Sequence, residues 1–403
     1  MSKRVSRRQV LRAGAALALP AAVGCGGASE DDPTTAVADL SGTSIPASPT
    51  PYVPGPERPP PPRSARPHST EGVVVQLSHP GAVVGEQVQD GPVRAMMARG
   101  MRELTGKATE RQAWASFFSP HDVVGIKVSP VGYPKVFSQV ATVKEIVRGL
   151  NLAGVPNTRI IVFDRYKDYL DAIGYPALLP AGIRFMSAVD TYVEDQTDVA
   201  GYDANDYADI ARVYPGDDAN DPHKRRSFVS QIVSKRVTKV INVPALKDHI
   251  SAGITCALKN MTYGCVNNVS RTHVAPDNWT KDFIPVIAGM KTLRTKVVLH
   301  IADALVACYQ GGPGPPDATF FTFPCASLFF ATDPVSLDRV GWKILDDQRV
   351  KMGLAPLAQC GTKLTNGGME AFDERQPQHV LAAGAAGLGV ADLERIHHRV
   401  IAL

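Results

Sequence analysis

Five short runs of nearly uninterrupted apolar residues constrain this chain most: 122–128, 159–164, 239–244, 296–301 and 327–331. A strand open to water on one face alternates apolar and polar residues, so unbroken runs belong to strands covered on both faces. Segments of helical period lie between them. Val140 to Leu150 has such spacing and stops at Gly154-Val155-Pro156, while Leu337, Val340, Gly341, Ile344 and Leu345 share one helical face after Pro334. The pattern predicts an α/β fold, a largely parallel or mixed sheet flanked by helices. We expect one such domain over residues 71–403, with a polar insertion near 185–235 that is rich in Asp, Tyr and Gly.

The N-terminal part has another character. Lys3, Arg4, Arg7, Arg8 and Arg12 precede an uncharged run from Ala13 to Val23. That run is too short to cross a bilayer core of roughly 30 Å, which takes about 20 residues. A basic head, a short apolar stretch and small residues near its end make a processing segment. Ser6-Arg7-Arg8-Gln9-Val10-Leu11-Arg12 resembles a twin-arginine export signal, a receptor-read address. Ala22-Val23-Gly24-Cys25 resembles a lipoprotein cleavage box, with Cys25 as the residue to be lipidated and Ala22 where Leu is more usual. Residues 1–25 are therefore read as the signal. Residues 26–70, dense in proline from Pro46 to Pro67, are read as a disordered, extended tether. The expected location is the periplasm or cell envelope, with export-machinery and membrane partners.

Charge and cysteine content narrow the function classes. The chain has 43 basic and 39 acidic residues, and without the five leader basics 38 face 39, so no global charge points to nucleic acid. Cys256, Cys265, Cys308, Cys325 and Cys360 contain no Cys-x-x-Cys pair, which argues against a ferredoxin cluster or zinc ribbon. A Cys256–Cys265 disulfide and buried free thiols both remain open. Gly311-Gly312-Pro313-Gly314 lacks the strand–helix context of a dinucleotide loop and reads as a rigid connection beside the crevice. Neither Gly-x-Ser-x-Gly nor His-Glu-x-x-His occurs.

Candidate chemistry gathers where the apolar runs stop. Lys127 and Asp164 end the first two, Lys247, Asp248 and His249 follow the third, and Asp303 and Asp333 follow the last two. In open parallel sheets the crevice beyond the strand C-termini is the usual ligand site. A lone Asp after a strand is, however, more often a helix cap. The densest stretch is Ile241 to Gly264, where Lys247 and Lys259 are suited to anionic oxygens, His249 to proton transfer and Asn260 to orienting a substrate. The catalytic candidates are His249, Lys247, Lys259 and Asn260; the ligand-binding candidates are Lys127, Asp164, Ser251 and Thr255. The plainer reading is a solvated loop with a helix beginning near Ser251. For a divalent Zn, Mn or Fe ion, the mixed N/O candidates are His249, His273, Asp303 and Asp333. His300, inside an apolar run, reads as a packed core histidine.

Three of these segments carry a family resemblance. Val124-Gly125-Ile126-Lys127-Val128-Ser129, the stretch Asn242 to Asn260 and Asp333-Pro334-Val335-Ser336-Leu337-Asp338 resemble the DUF362 family over roughly 120–395. Ser129 and Ser336 depart from the family's more usual Asn and Ala. Many relatives carry an attached ferredoxin-like cysteine set, which this chain lacks, so no internal iron–sulfur cluster is expected. The resemblance implies no particular reaction. Two readings follow: an exported enzyme acting on a small anionic substrate, with a metal or other cofactor left open, and a non-catalytic envelope lipoprotein that binds an anionic ligand or metal.

Overall fold

A computed structural model describes residues 71–191, 196–197, 199–273, 278–312, 320–359 and 375–403. Residues 1–70, where the signal and the tether are expected, lie outside the described residues, as does Cys360. In chain order the strands begin with β1 (Val73–Ser78), β2 (Val83–Val84), β3 (Gln87–Val88), β4 (Val124–Lys127), β5 (Ile160–Tyr166), β6 (Arg184–Val189), β7 (Tyr202–Asp209) and β8 (Arg226–Ser230). They continue with β9 (Lys239–Asn242), β10 (Ala245–His249), β11 (Gly253–Thr255), β12 (Val297–Gln310), β13 (Phe321–Phe323), β14 (Ser327–Ala331) and β15 (His397–Ala402).

The main sheet runs β15-β1-β14-β12-β9-β4-β5-β6. From β12 to β6 the neighbours are parallel, whereas β14 is antiparallel to both β12 and β1. The expected α/β fold with a mixed sheet is therefore observed. Two cores cover its faces, as the unbroken apolar runs require. Val124, Ile126, Ile160 and Val162 face Trp114, Phe117, Ile146 and Leu150; Ile161, Phe163 and Val240 face Trp279, Phe283, Leu337 and Val340. The helix Val140–Leu152 buries Val143, Ile146, Val147 and Leu150, and the helix Pro334–Lys351 buries Leu337, Val340, Gly341 and Leu345. No helix of the described residues is long and apolar enough to cross a membrane.

Three strand ends differ from expectation. β5 runs on to Tyr166, which leaves Asp164 within the strand rather than at its end. β9 stops at Asn242, because Pro244 has no N–H for a ladder; the Val243 N–H instead donates to the Lys127 carbonyl at 2.8 Å. β12 does not stop near Ile301 but runs on to Gln310. β10 and β13 extend its two ladders, which leaves Asp303 inside the strand rather than after it. The polar insertion opens with edge strand β6 and includes the antiparallel ribbon β7–β8. Arg271 fastens that ribbon by donating to the carbonyls of Ile210, Arg212 and Lys224 and to Ser227 Oγ.

Candidate functional site

The parallel strands β4, β5 and β9 deliver Lys127, Asp164 and Asn242 to one end of the sheet. Beside them the hairpin β10–β11 pairs Lys247 with Thr255 and His249 with Gly253, and Gly253 takes the positive φ of 71° that the turn demands. The helix Ala257–Tyr263 follows directly, with all its residues buried. The region is thus a buried hairpin and a helix that starts at Ala257, not a solvated loop with a helix near Ser251. The Asp338 carboxylate caps that helix by accepting from the N–H groups of Ala257 at 2.6 Å and Leu258 at 3.1 Å.

Lys127 is 1% exposed. Its ammonium donates to Asp164 Oδ1 at 2.5 Å, the Val128 carbonyl at 2.7 Å and Asn260 Oδ1 at 3.1 Å. An ammonium has three hydrogens, so all of them have acceptors. The network continues as Asn260 Nδ2 donates to Asn242 Oδ1 at 2.7 Å, and Asn242 Nδ2 reaches the Ala257 carbonyl at 2.8 Å and His300 Nδ1 at 3.1 Å. His300 is the packed, hydrogen-bonded core residue expected from its apolar run. Gly264 makes the network sterically possible, because a Cβ there would collide with the Lys127 side chain.

The hairpin has a different arrangement. His249 is buried, and its Nδ1 accepts from the backbone N–H groups of Ser251 at 3.0 Å and Ala252 at 3.1 Å. Backbone N–H groups only donate, so the neutral imidazole carries its proton on Nε2. The His249 and His273 rings lie 5.3 Å apart, His273 meets Tyr263 edge-on at 4.9 Å, and the Lys259 ammonium sits 4.1 Å from the Tyr263 ring centre. Lys247 donates to the Val131 carbonyl. Ser251 contributes through its backbone, its carbonyl accepting from the Gln376 N–H at 2.8 Å and Asn278 Nδ2 at 3.0 Å. Thr255 is 6% exposed, and its hydroxyl oxygen is buried with no hydrogen-bond partner among the described residues.

On the other face of β10, Asp248 pairs with Arg375 at 3.2 Å and accepts from the N–H groups of Gly311 at 3.2 Å and Gly312 at 2.8 Å. Burial holds its carboxyl above the ordinary range, with Arg375 acting in the opposite direction. Cys308 donates to Asp248 at 3.4 Å, and burial pushes its thiol well up, which makes it a poor nucleophile. Cys256, Cys265, Cys308 and Cys325 are free thiols, so the Cys256–Cys265 bridge is not formed.

The four metal candidates separate into two kinds. His249 and His273 lie together. Asp303 instead accepts from the Gln139 N–H at 2.8 Å and Thr142 Oγ1 at 2.6 Å, at the start of the helix Val140–Leu152. Asp333 caps the helix Pro334–Lys351 and also accepts from the N–H groups of Gly72 and Val390. Among the described residues, no group of three or more His, Cys, Asp or Glu could hold a metal ion. Sequence reasoning assigned no role to Asn242, Tyr263 or Arg375. Tyr263 had a usable signal, since it stands four positions after Lys259 on a helix; Arg375 is too remote in sequence to have had one.

No curated protein matches the chain. Residues 124–343 match the family model described as Domain of unknown function (DUF362). That span holds the whole segment from Lys127 to Asp338 and more than half of the sequence, and the protein belongs to the DUF362 family.

Proposed function

We propose that this protein is an exported enzyme acting on a small anionic substrate at the β10–β11 hairpin. His249 serves as a neutral electrophile through its Nε2–H, and Lys247 and Lys259 supply positive charge. Asn260, its amide oxygen engaged by Lys127 and its amide nitrogen by Asn242, braces the site rather than touching the substrate. The observation that carries the reading is the fixed tautomer of His249: a buried neutral imidazole whose Nδ1 accepts from two backbone donors offers Nε2–H as a neutral hydrogen-bond donor, which polarises a substrate oxygen without giving up its proton. Lys127 acts as an internal strut rather than a ligand contact, since its three hydrogens are already accepted.

Substitution of His249 tests the enzymatic part. His249→Leu, which removes the donor, is expected to lower turnover by about 10²- to 10³-fold, the usual cost of losing one donor to a developing oxyanion. Equal turnover in both proteins would sink the assignment. Retained binding with no turnover in the wild type would favour the non-catalytic envelope binding protein.

Export and anchoring rest on the leader, where Arg7-Arg8 precedes an apolar run that closes at Cys25. In cell fractionation, Arg7→Lys with Arg8→Lys should hold the chain in the cytoplasm, and Cys25→Ala should move it from the membrane fraction to the soluble exported one. Unchanged fractions in both would end that part of the proposal.

A further inference from the structure

We infer that Thr255 and Lys247 form an oxyanion subsite, which receives a carboxylate or phosphate group of the ligand and uses the Thr255 hydroxyl as a neutral donor. The inference rests on the reading of the hairpin as an anion site and specifies its contact. Residues directly opposite in an antiparallel pair share a face, and the register sets Thr255 against Lys247. His249 lies on that same face two positions further along. Leu246 and Asp248 point the other way, Leu246 into the core and Asp248 to Arg375. One acidic side chain next to Lys247 is thus turned from the subsite and engaged elsewhere.

The Thr255 hydroxyl is the informative group. Buried hydroxyls in folded proteins nearly always have a hydrogen-bond partner, so one without calls for an explanation. Both neighbouring polar residues in this hairpin show that the local backbone is able to supply one: His249 accepts from two N–H groups, and Lys247 donates to Val131. Thr255, two positions after Gly253, is left unmatched among the described residues. A ligand oxygen at this place accepts from the hydroxyl and lies next to an ammonium. That combination favours an anionic oxygen over a neutral carbonyl, since charge-assisted hydrogen bonds are the stronger ones. Carboxylate and phosphate both present such oxygens.

Calorimetric titration of the full chain with inorganic phosphate and, separately, with acetate tests the subsite and identifies which chemistry it takes. For whichever ion binds the wild type, Thr255→Val should weaken binding about tenfold, and Thr255→Ser should stay within about threefold because it restores the donor. His249→Gln should remain within about threefold, because the amide keeps a neutral donor. The ion-free Thr255→Val protein should also melt at a higher temperature than the wild type, because an unmatched buried hydroxyl is replaced by a methyl group of the same shape. A Val variant that binds like the wild type, or that melts lower without ion, overturns the subsite alone. Failure of the wild type to bind either ion overturns both the subsite and the anionic-substrate reading.

Discussion

Two polar regions lie side by side at the end of this sheet, and they are built on opposite terms. In the network from Asp164 through Lys127 and Asn260 to Asn242, each residue is held by its neighbours, and the ammonium at its centre has an acceptor for every hydrogen. In the adjoining hairpin the backbone fixes the His249 ring, yet the Thr255 hydroxyl is buried without a partner among the described residues. A closed network rigidifies and specifies a fold, and it has no unmet bond to offer a ligand. An open polar group destabilises the empty protein and becomes an asset once a ligand matches it. Proximity to a crevice does not by itself separate the two kinds; hydrogen-bond satisfaction does.

The largest test breaks the closed network. Lys127→Met leaves Asp164 and the Asn260 carbonyl oxygen buried without their cation, and should lower stability by about 3–5 kcal/mol in urea unfolding. A loss below about 1 kcal/mol would mean that water reaches the pair and that the network is not closed.

The next test concerns Asp303, which is fully engaged like Lys127 but titrates. Burial pushes its carboxyl up to about 6, against the pull of hydrogen bonds from Thr142, Gln139 and Leu305. The folded state then binds this proton more tightly than the unfolded chain does. Stability should fall as pH rises from the ordinary 3.8 to about 6, by of the order of 3 kcal/mol in all. Asp303→Asn should flatten that interval in the pH dependence of unfolding, and an unchanged slope would place the proton elsewhere.

The smallest effect has the opposite sign and sharpens the contrast most. Thr255→Val should raise the stability of the ligand-free protein by about 1 kcal/mol, where every change within the closed network lowers it. A loss on this substitution would erase the distinction between the two regions.

The sequence by itself determined the architecture. Unbroken apolar runs such as Ile160–Phe163 must be covered on both faces, and Val140–Leu150 can bury its stripe only as a helix, so an α/β sheet with two cores follows from periodicity and burial. It also placed Lys127 and Asp164 near one another, because residues toward the C-terminal ends of parallel strands converge. Only the tertiary structure decided what each one does. Asp303 and Asp333 resemble Asp164 in sequence, as acids following apolar runs, but they accept from backbone groups at helix starts, while Asp164 meets an ammonium. The partners that settle these roles are distant in sequence: Gln139 and Thr142 for Asp303, Val390 for Asp333, and Arg375 for Asp248. A hydrogen bond acts over about 3 Å, and no local pattern records which far segment will arrive within that distance.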